Sequence, residues 1–222
     1  MRTAVIRFPG SNCDQDAYFA LNEDVGVKAE YVWHDDTSLA GFDAVVIPGG
    51  FSYGDYLRCG AMASRSPIMS EVARFATEGR PVIGICNGFQ ALCEAGLLPG
   101  ALLLNEDQKF HCETVELEVV NRASFWTRAI PPETRIHIPI AHGEGRYICD
   151  ADTLKRLHDE DLIAFRYNGN PNGSLDDIAG LVNKTGNVLG LMPHPERATR
   201  ALLGANDGLF VLNALAAVPA GV

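Results

Sequence analysis

Pro81-Val82-Ile83-Gly84-Ile85-Cys86-Asn87-Gly88-Phe89-Gln90 runs from a continuous apolar segment straight into a helical one. An apolar run without alternation suits a strand covered on both faces by helices, the environment of a parallel sheet. Phe89 to Ala95 predicts a helix closed by Gly96, so residues 84–88 form a Gly-x-Cys-x-Gly turn between the two. Small residues flank the reactive position of a nucleophile elbow because that turn is sharp and closely packed. A cysteine placed there feels the positive end of the helix dipole, which favours thiolate, and the amide of Asn87 points toward any oxyanion that forms. The alternative is a buried core thiol in an ordinary strand-to-helix turn.

The same alternation of strand and helix extends outward. Thr3 to Phe8, Val27 to Trp33 and Ala44 to Ile47 predict strands, and Asp14 to Glu23 predicts a helix stopped near Gly26. Ser66-Pro67 places a capping hydroxyl before a proline suited to a first helical turn, and that helix runs to Gly79. After Leu104 the pattern changes: Val115, Leu117 and Val119 alternate with Glu116 and Glu118, and Ile136, Ile138 and Ile140 alternate with His137 and Pro139. These predict half-exposed antiparallel strands. Ala164 to Tyr167, Ile178 to Asn183 and Val188 to Met192 are further strands, and Gly208 to Ala217 is a closing helix. The expected fold is α/β, an open, mostly parallel sheet with helices on both faces, with a β-rich excursion in the second half. No repeat or linker interrupts it, so 1–222 is expected to be a single domain.

Composition narrows the function. At 222 residues, 47% hydrophobic and 21% charged, the chain has the makeup of a folded globular domain rather than a disordered or fibrous one. Eighteen Lys and Arg against 28 Asp and Glu leave a formal net charge of −10, which disfavours a nucleic-acid partner because such binding is built on neutralising phosphates. No apolar stretch approaches a membrane span, and Arg2 and Arg7 interrupt any signal-like start, so no membrane partner and a cytoplasmic address are expected. The six cysteines contain no Cys-x-x-Cys pair, so no metal site is expected. Cys13, Cys59, Cys93, Cys112 and Cys149 are assigned to packing.

Two segments bear on Cys86. In Met192-Pro193-His194-Pro195-Glu196 both prolines push the preceding residue out of the helical region, and in an extended chain residues two apart share a face. His194 and Glu196 can then stand side by side, the carboxylate orienting the imidazole that takes the thiol proton. The alternative is a surface turn with incidental charge. Pro48-Gly49-Gly50-Phe51-Ser52-Tyr53-Gly54-Asp55, also at a strand end, can bring a second backbone amide to an oxyanion, or be a plain glycine-rich turn. No recognised phosphate-binding glycine motif occurs in the chain.

Pro48-Gly49-Gly50, Gly84-Ile85-Cys86-Asn87-Gly88-Phe89-Gln90 and His194-Pro195-Glu196 together resemble the class I (triad) glutamine amidotransferases, whose fold is flavodoxin-like. Arg7 to Asp14, Gly50 to Arg58, Ala141 to Tyr147 and Asn170 to Ser174 are similar to the glutaminase subunits of phosphoribosylformylglycinamidine synthase, a branch of that family. The resemblance implies a Cys86-His194-Glu196 triad that hydrolyses glutamine to glutamate and ammonia. It implies oxyanion donors at Gly50 and Asn87, and contacts to the amino-acid end of glutamine from Gln90, His142 and Gly143. It further implies no cofactor in this chain, a large synthetase subunit (PurL) that binds ATP with magnesium and converts formylglycinamide ribonucleotide to its amidine in purine biosynthesis, and a small bridging subunit (PurS). Two alternatives stand beside it. One is a cysteine peptidase or stress-response protein of the related elbow-cysteine superfamily, whose members often carry histidine directly after the cysteine, where Asn87 stands here. The other is a non-catalytic regulatory module.

Overall fold

The computed structural model describes residues 1–217, so the last positions of the expected domain, 218–222, lie outside the described residues. The strands are β1 (Arg2–Arg7), β2 (Lys28–Trp33), β3 (Ala44–Ile47), β4 (Val82–Ile85), β5 (Ala101–Leu103), β6 (His111–Val119), β7 (Arg135–His142), β8 (Arg146–Ile148), β9 (Ile163–Asn168), β10 (Ile178–Val182) and β11 (Val188–Leu191). The α-helices are α1 (Asp14–Phe19), α2 (Pro67–Thr77), α3 (Asn87–Glu94), α4 (Ala151–Asp159) and α5 (Leu209–Ala216). Nine strands form one sheet in the order β2-β1-β3-β4-β11-β10-β9-β6-β7, and β5 pairs with β8 in a small separate ladder.

From β2 to β11 neighbouring strands are parallel; from β11 to β7 each pair is antiparallel. The β-rich second half therefore extends the same sheet. β3, β4 and β11 are buried at every residue, as their unbroken apolar runs require. In β6 and β7 the alternating apolar set meets across the ladder, Val115 opposite Ile138 and Leu117 opposite Ile136. Crossovers between parallel strands are right-handed as a rule, and the strand order reverses after β2, so that the next strands lie on the other side of β1. That puts α1, against β1 and β2, on one face, and α2 and α3, against β3, β4 and β11, on the other. The reversal opens a crevice at the carboxyl ends of β1 and β3, where open α/β sheets hold their ligands.

Local differences from expectation have local causes. The first helix does not end at Glu23 as an α-helix: it widens to a π-helix over Ala20–Val25 before Gly26, whose φ of 74° closes it. The Ser66 hydroxyl does not cap α2; it pairs with the Tyr53 hydroxyl at 2.8 Å, and Tyr53 also meets Nδ1 of His34 at 2.8 Å. Helix α4 has no clear sequence signal because Leu157 is its one buried residue; Asp150 starts it by accepting from the Thr153 amide at 2.8 Å. No helix among the described residues is long and apolar enough to cross a membrane.

Three glycines let α3 lie against the sheet. Gly84 and Gly190 are opposite each other on β4 and β11; a Cβ on Gly84 would stand 2.5 Å from the Gly88 carbonyl oxygen, and one on Gly190 would overlap the Phe89 ring. A Cβ on Gly88 would run into the Ile47 carbonyl, a backbone atom that cannot swing aside. Gly88→Ala is therefore expected to destabilise the fold by more than about 3 kcal/mol. Gly96→Ala meets no atom within 4 Å and has only its φ of 72° to overcome, so it should cost about 1 kcal/mol. Chemical denaturation of the two variants checks the contrast.

Candidate active site

Four strand ends build the site. β4 delivers Cys86, whose backbone stands at φ 49° and ψ −106° as the residue before α3. A non-glycine residue there carries strain of about 1 to 3 kcal/mol, held by the surrounding packing. β11 leads into His194 and Glu196, joined by an Nδ1 to Oε1 hydrogen bond of 2.6 Å, both residues almost wholly buried. The loop after β3 supplies Gly49 and Gly50, and the loop after β1 supplies Asn12 and Cys13. A Cβ on Gly49 would lie 2.8 Å from Cε1 of His194, 3.3 Å from Cβ of Cys86 and 3.4 Å from Sγ of Cys13. Three side chains from distant segments thus converge on the bare face of one glycine.

Burial alone would pull the His194 pKa down, but the charge of Glu196, followed by Cys86 and Cys13, outweighs it and holds the imidazole well above the ordinary histidine value. A histidine so placed favours the imidazolium and can hand its proton on. The Cys86 sulfur lies 3.9 Å from the Ala141 carbonyl oxygen.

Two adjoining cavities share Gly50, Phe51, Cys86, Phe110 and Ala141 in their walls. One, of about 190 Å³, is also lined by Asp55, Gln90, His142, Gly143 and Glu144; the other, of about 260 Å³, reaches His194, Asn12, Cys13 and Arg197. Of the predicted residues, Cys86, Gly50, Gln90, His142 and Gly143 therefore share a cavity wall, with His194 next door and Glu196 behind it. The Asn87 side chain turns toward the loop instead: its Oδ1 accepts from the Ser52 amide at 3.2 Å, and its Nδ2 donates to Asp55 at 3.2 Å and Gln90 Oε1 at 2.9 Å. Gln90 then donates to the Glu144 carbonyl oxygen at 2.6 Å, so it links α3 to the loop after β7.

That loop is held by asparagines. Nδ2 of Asn105 donates to the carbonyl oxygens of Lys109 and His142, which leaves its Oδ1 to accept from Nδ1 of His142 at 3.1 Å and from the Gly145 amide at 3.0 Å. Asn172 donates to the Gly145 carbonyl oxygen at 2.9 Å. Nε2 of His142 is buried with no hydrogen-bond partner among the described residues.

Sequence reasoning missed several neighbours. Cys13 is not a packing thiol remote from the chemistry: its sulfur, an imidazole nitrogen of His194 and a Glu196 oxygen lie within 4.8 Å of one another. Cys59 is half-buried at the cavity wall, and Cys112 is exposed on β6. Asn105 carried no signal, whereas Arg197 could have been noticed as the residue directly following Glu196.

The CobB/CobQ-like glutamine amidotransferase domain model matches residues 1–207. The chain belongs to that family. This amidotransferase is 47% identical, over 97% of each chain, to a chain in the structure of PurLQS from Thermotoga maritima, with a TM-score of 0.89. A GMP synthase component from Thermoplasma acidophilum (17% identity, 97% of this chain and 94% of that one, TM-score 0.65) and a glutamine amidotransferase from Thermotoga maritima (19%, 90% and 78%, TM-score 0.59) share the fold. The peptidase, stress-response and non-catalytic alternatives are thereby set aside: the protein is a glutamine amidotransferase.

Burial, then the charge of His194, lowers the His142 pKa from 6.5 to about 4. The unfolded chain binds this proton near pH 6.5 and the folded protein only near pH 4, so stability present above pH 6.5 is lost as the pH falls toward 4. His142→Gln, which keeps an amide donor but cannot ionise, is expected to remove on the order of 3 kcal/mol of that acid-side loss. Urea midpoints at pH 7 and pH 4.5 for both proteins measure it.

Proposed function

We propose that this chain is the glutaminase component of a PurL-type synthetase assembly, with Cys86, His194 and Glu196 as its catalytic triad. The observation that carries the reading is the convergence of a thiol on a strained elbow with a buried, hydrogen-bonded His194-Glu196 pair, Cys86 and His194 both lining a cavity of about 260 Å³. In this reading Cys86 passes its thiol proton to His194 and the sulfur attacks the side-chain amide carbon of glutamine, the resulting oxyanion being met by the amides of Gly50 and Asn87. Asn87 begins α3, where backbone amides have no intrahelical acceptor. Collapse of the adduct breaks the C–N bond as His194 protonates the departing nitrogen, giving ammonia and a γ-glutamyl thioester. Water, deprotonated by His194, then releases glutamate and regenerates the thiol. Gln90, His142 and Gly143 line the cavity where the amino-acid end of glutamine would lie; the unpartnered Nε2 of His142 is an acceptor suited to an ammonium group.

Free ammonia at neutral pH becomes ammonium and loses its nucleophilicity, so a glutaminase of this kind is productive only beside an acceptor site. The 47% identity to a chain of PurLQS supports a synthetase partner of the PurL type. The family resemblance of the sequence motifs adds to this reading ATP and magnesium on that partner, PurS as a third component, a cytoplasmic setting and the formylglycinamide ribonucleotide amidation of purine biosynthesis as the consuming step.

The test is Cys86→Ala in the assembly reconstituted with its synthetase partners. Glutamine-dependent synthesis should fall by at least about a thousandfold while synthesis from added ammonium persists. Undiminished glutamine hydrolysis in this variant would end the triad assignment, and failure to co-purify with a synthetase would end the assembly assignment.

A further inference from the structure

We infer that Cys13 is a positioning residue for the His194 imidazole, its sulfur held in place by Arg197. The inference rests on the triad reading above. Cys13 is buried, yet its sulfur is engaged by polar groups on several sides. Nη2 of Arg197 donates to it at 3.1 Å, and its own S–H faces Oδ1 of Asn12 at 3.6 Å. Arg197 is itself anchored, its Nε donating to Asp16 on α1 at 3.0 Å. A chain of contacts therefore runs from Asp16 through Arg197 and Cys13 to the imidazole, and it ends on the cavity that also exposes Cys86.

The imidazole needs such a support. Glu196 ties it at Nδ1 alone, and one hydrogen bond leaves a ring free to tilt about that contact. Gly49 abuts Cε1 but offers no side chain to hold it, because any Cβ would collide there. The sulfur of Cys13, alongside the same glycine, lies within 4.8 Å of an imidazole nitrogen and is the side chain placed to limit the ring's tilt. Proton transfer between Cys86 and a departing nitrogen depends on the orientation of this ring, so a small displacement acts on turnover before it acts on glutamine affinity.

The groups facing His194 are Glu196 and Arg197 from its own turn, Cys86 from the elbow, Cys13 from the loop after β1 and His142 at the end of β7. Cys13 acts in the direction that favours the protonated ring, so removing it shifts the titration of His194 to lower pH.

The experiment measures glutaminase kinetics, and the NMR titration of the His194 ring, in Cys13→Ala and Cys13→Ser. For Cys13→Ala kcat is expected to fall about tenfold with KM for glutamine changed less than about threefold, and the ring to titrate at lower pH. Cys13→Ser, which still accepts from Arg197, should recover part of both. Wild-type kcat and titration in both variants would overturn the inference. So would equal loss of activity in both with the ring titration unmoved, the signature of packing alone. Should Cys13→Ala fail to fold, Arg197→Lys decides: it keeps the charge but gives up the two-pronged hold on Cys13 and Asp16, and must show the same kcat and titration changes. Cys86→Ala is run alongside; if that variant still hydrolyses glutamine, the triad reading itself has failed, a result separable from any behaviour of Cys13.

Discussion

The molecule depends on α3 lying close enough to the sheet to hold Cys86 at a positive φ. The contact is made of absences: Gly84, Gly88 and Gly190 each leave a gap that a backbone oxygen or the Phe89 ring fills. The close docking over-determines the backbone at the elbow, so the strain at Cys86 persists instead of relaxing. With Cys86 fixed to the most buried strands of the sheet, every other group of the candidate site has only to be brought to it.

How they are brought differs from group to group. His194 and Glu196 arrive on the strand paired to β4, so backbone register sets their approach. The glycine-rich loop is tied to the elbow by the Asn87 side chain, and also to the loop after β1, where the Tyr53 amide donates to the Pro9 carbonyl oxygen at 2.6 Å. The loop after β7 hangs on Asn105 and Asn172, whose amides satisfy backbone groups that irregular chain cannot satisfy for itself. Asparagine serves here because one side chain both donates and accepts.

The buried His194-Glu196 pair shows how electrostatics and packing combine. Removing an imidazole from water opposes its charge, and a carboxylate two residues along more than restores it. His142, buried at the adjoining cavity without a carboxylate beside it, shifts in the opposite direction. Two histidines facing one site are thus biased toward different protonation states by a single neighbour.

Much of this was legible in the order of residues. Unbroken apolar runs announced strands with both faces covered, alternating ones announced antiparallel strands, and Gly-x-Cys-x-Gly with His-x-Glu announced a thiol, a base and an acid. Those are properties of short segments, where periodicity and backbone stereochemistry act within a few residues. The sequence therefore determined the α/β class, most of the elements and the residue types of the candidate site. Tertiary structure alone decided that the antiparallel strands continue the same sheet, that Gln90 reaches across to Glu144, and that Cys13 and Arg197, 184 positions apart, meet beside His194. No local pattern encodes these contacts, because they arise from how the parallel strands order themselves and bring the ends of β1, β3, β4 and β11 to one crevice.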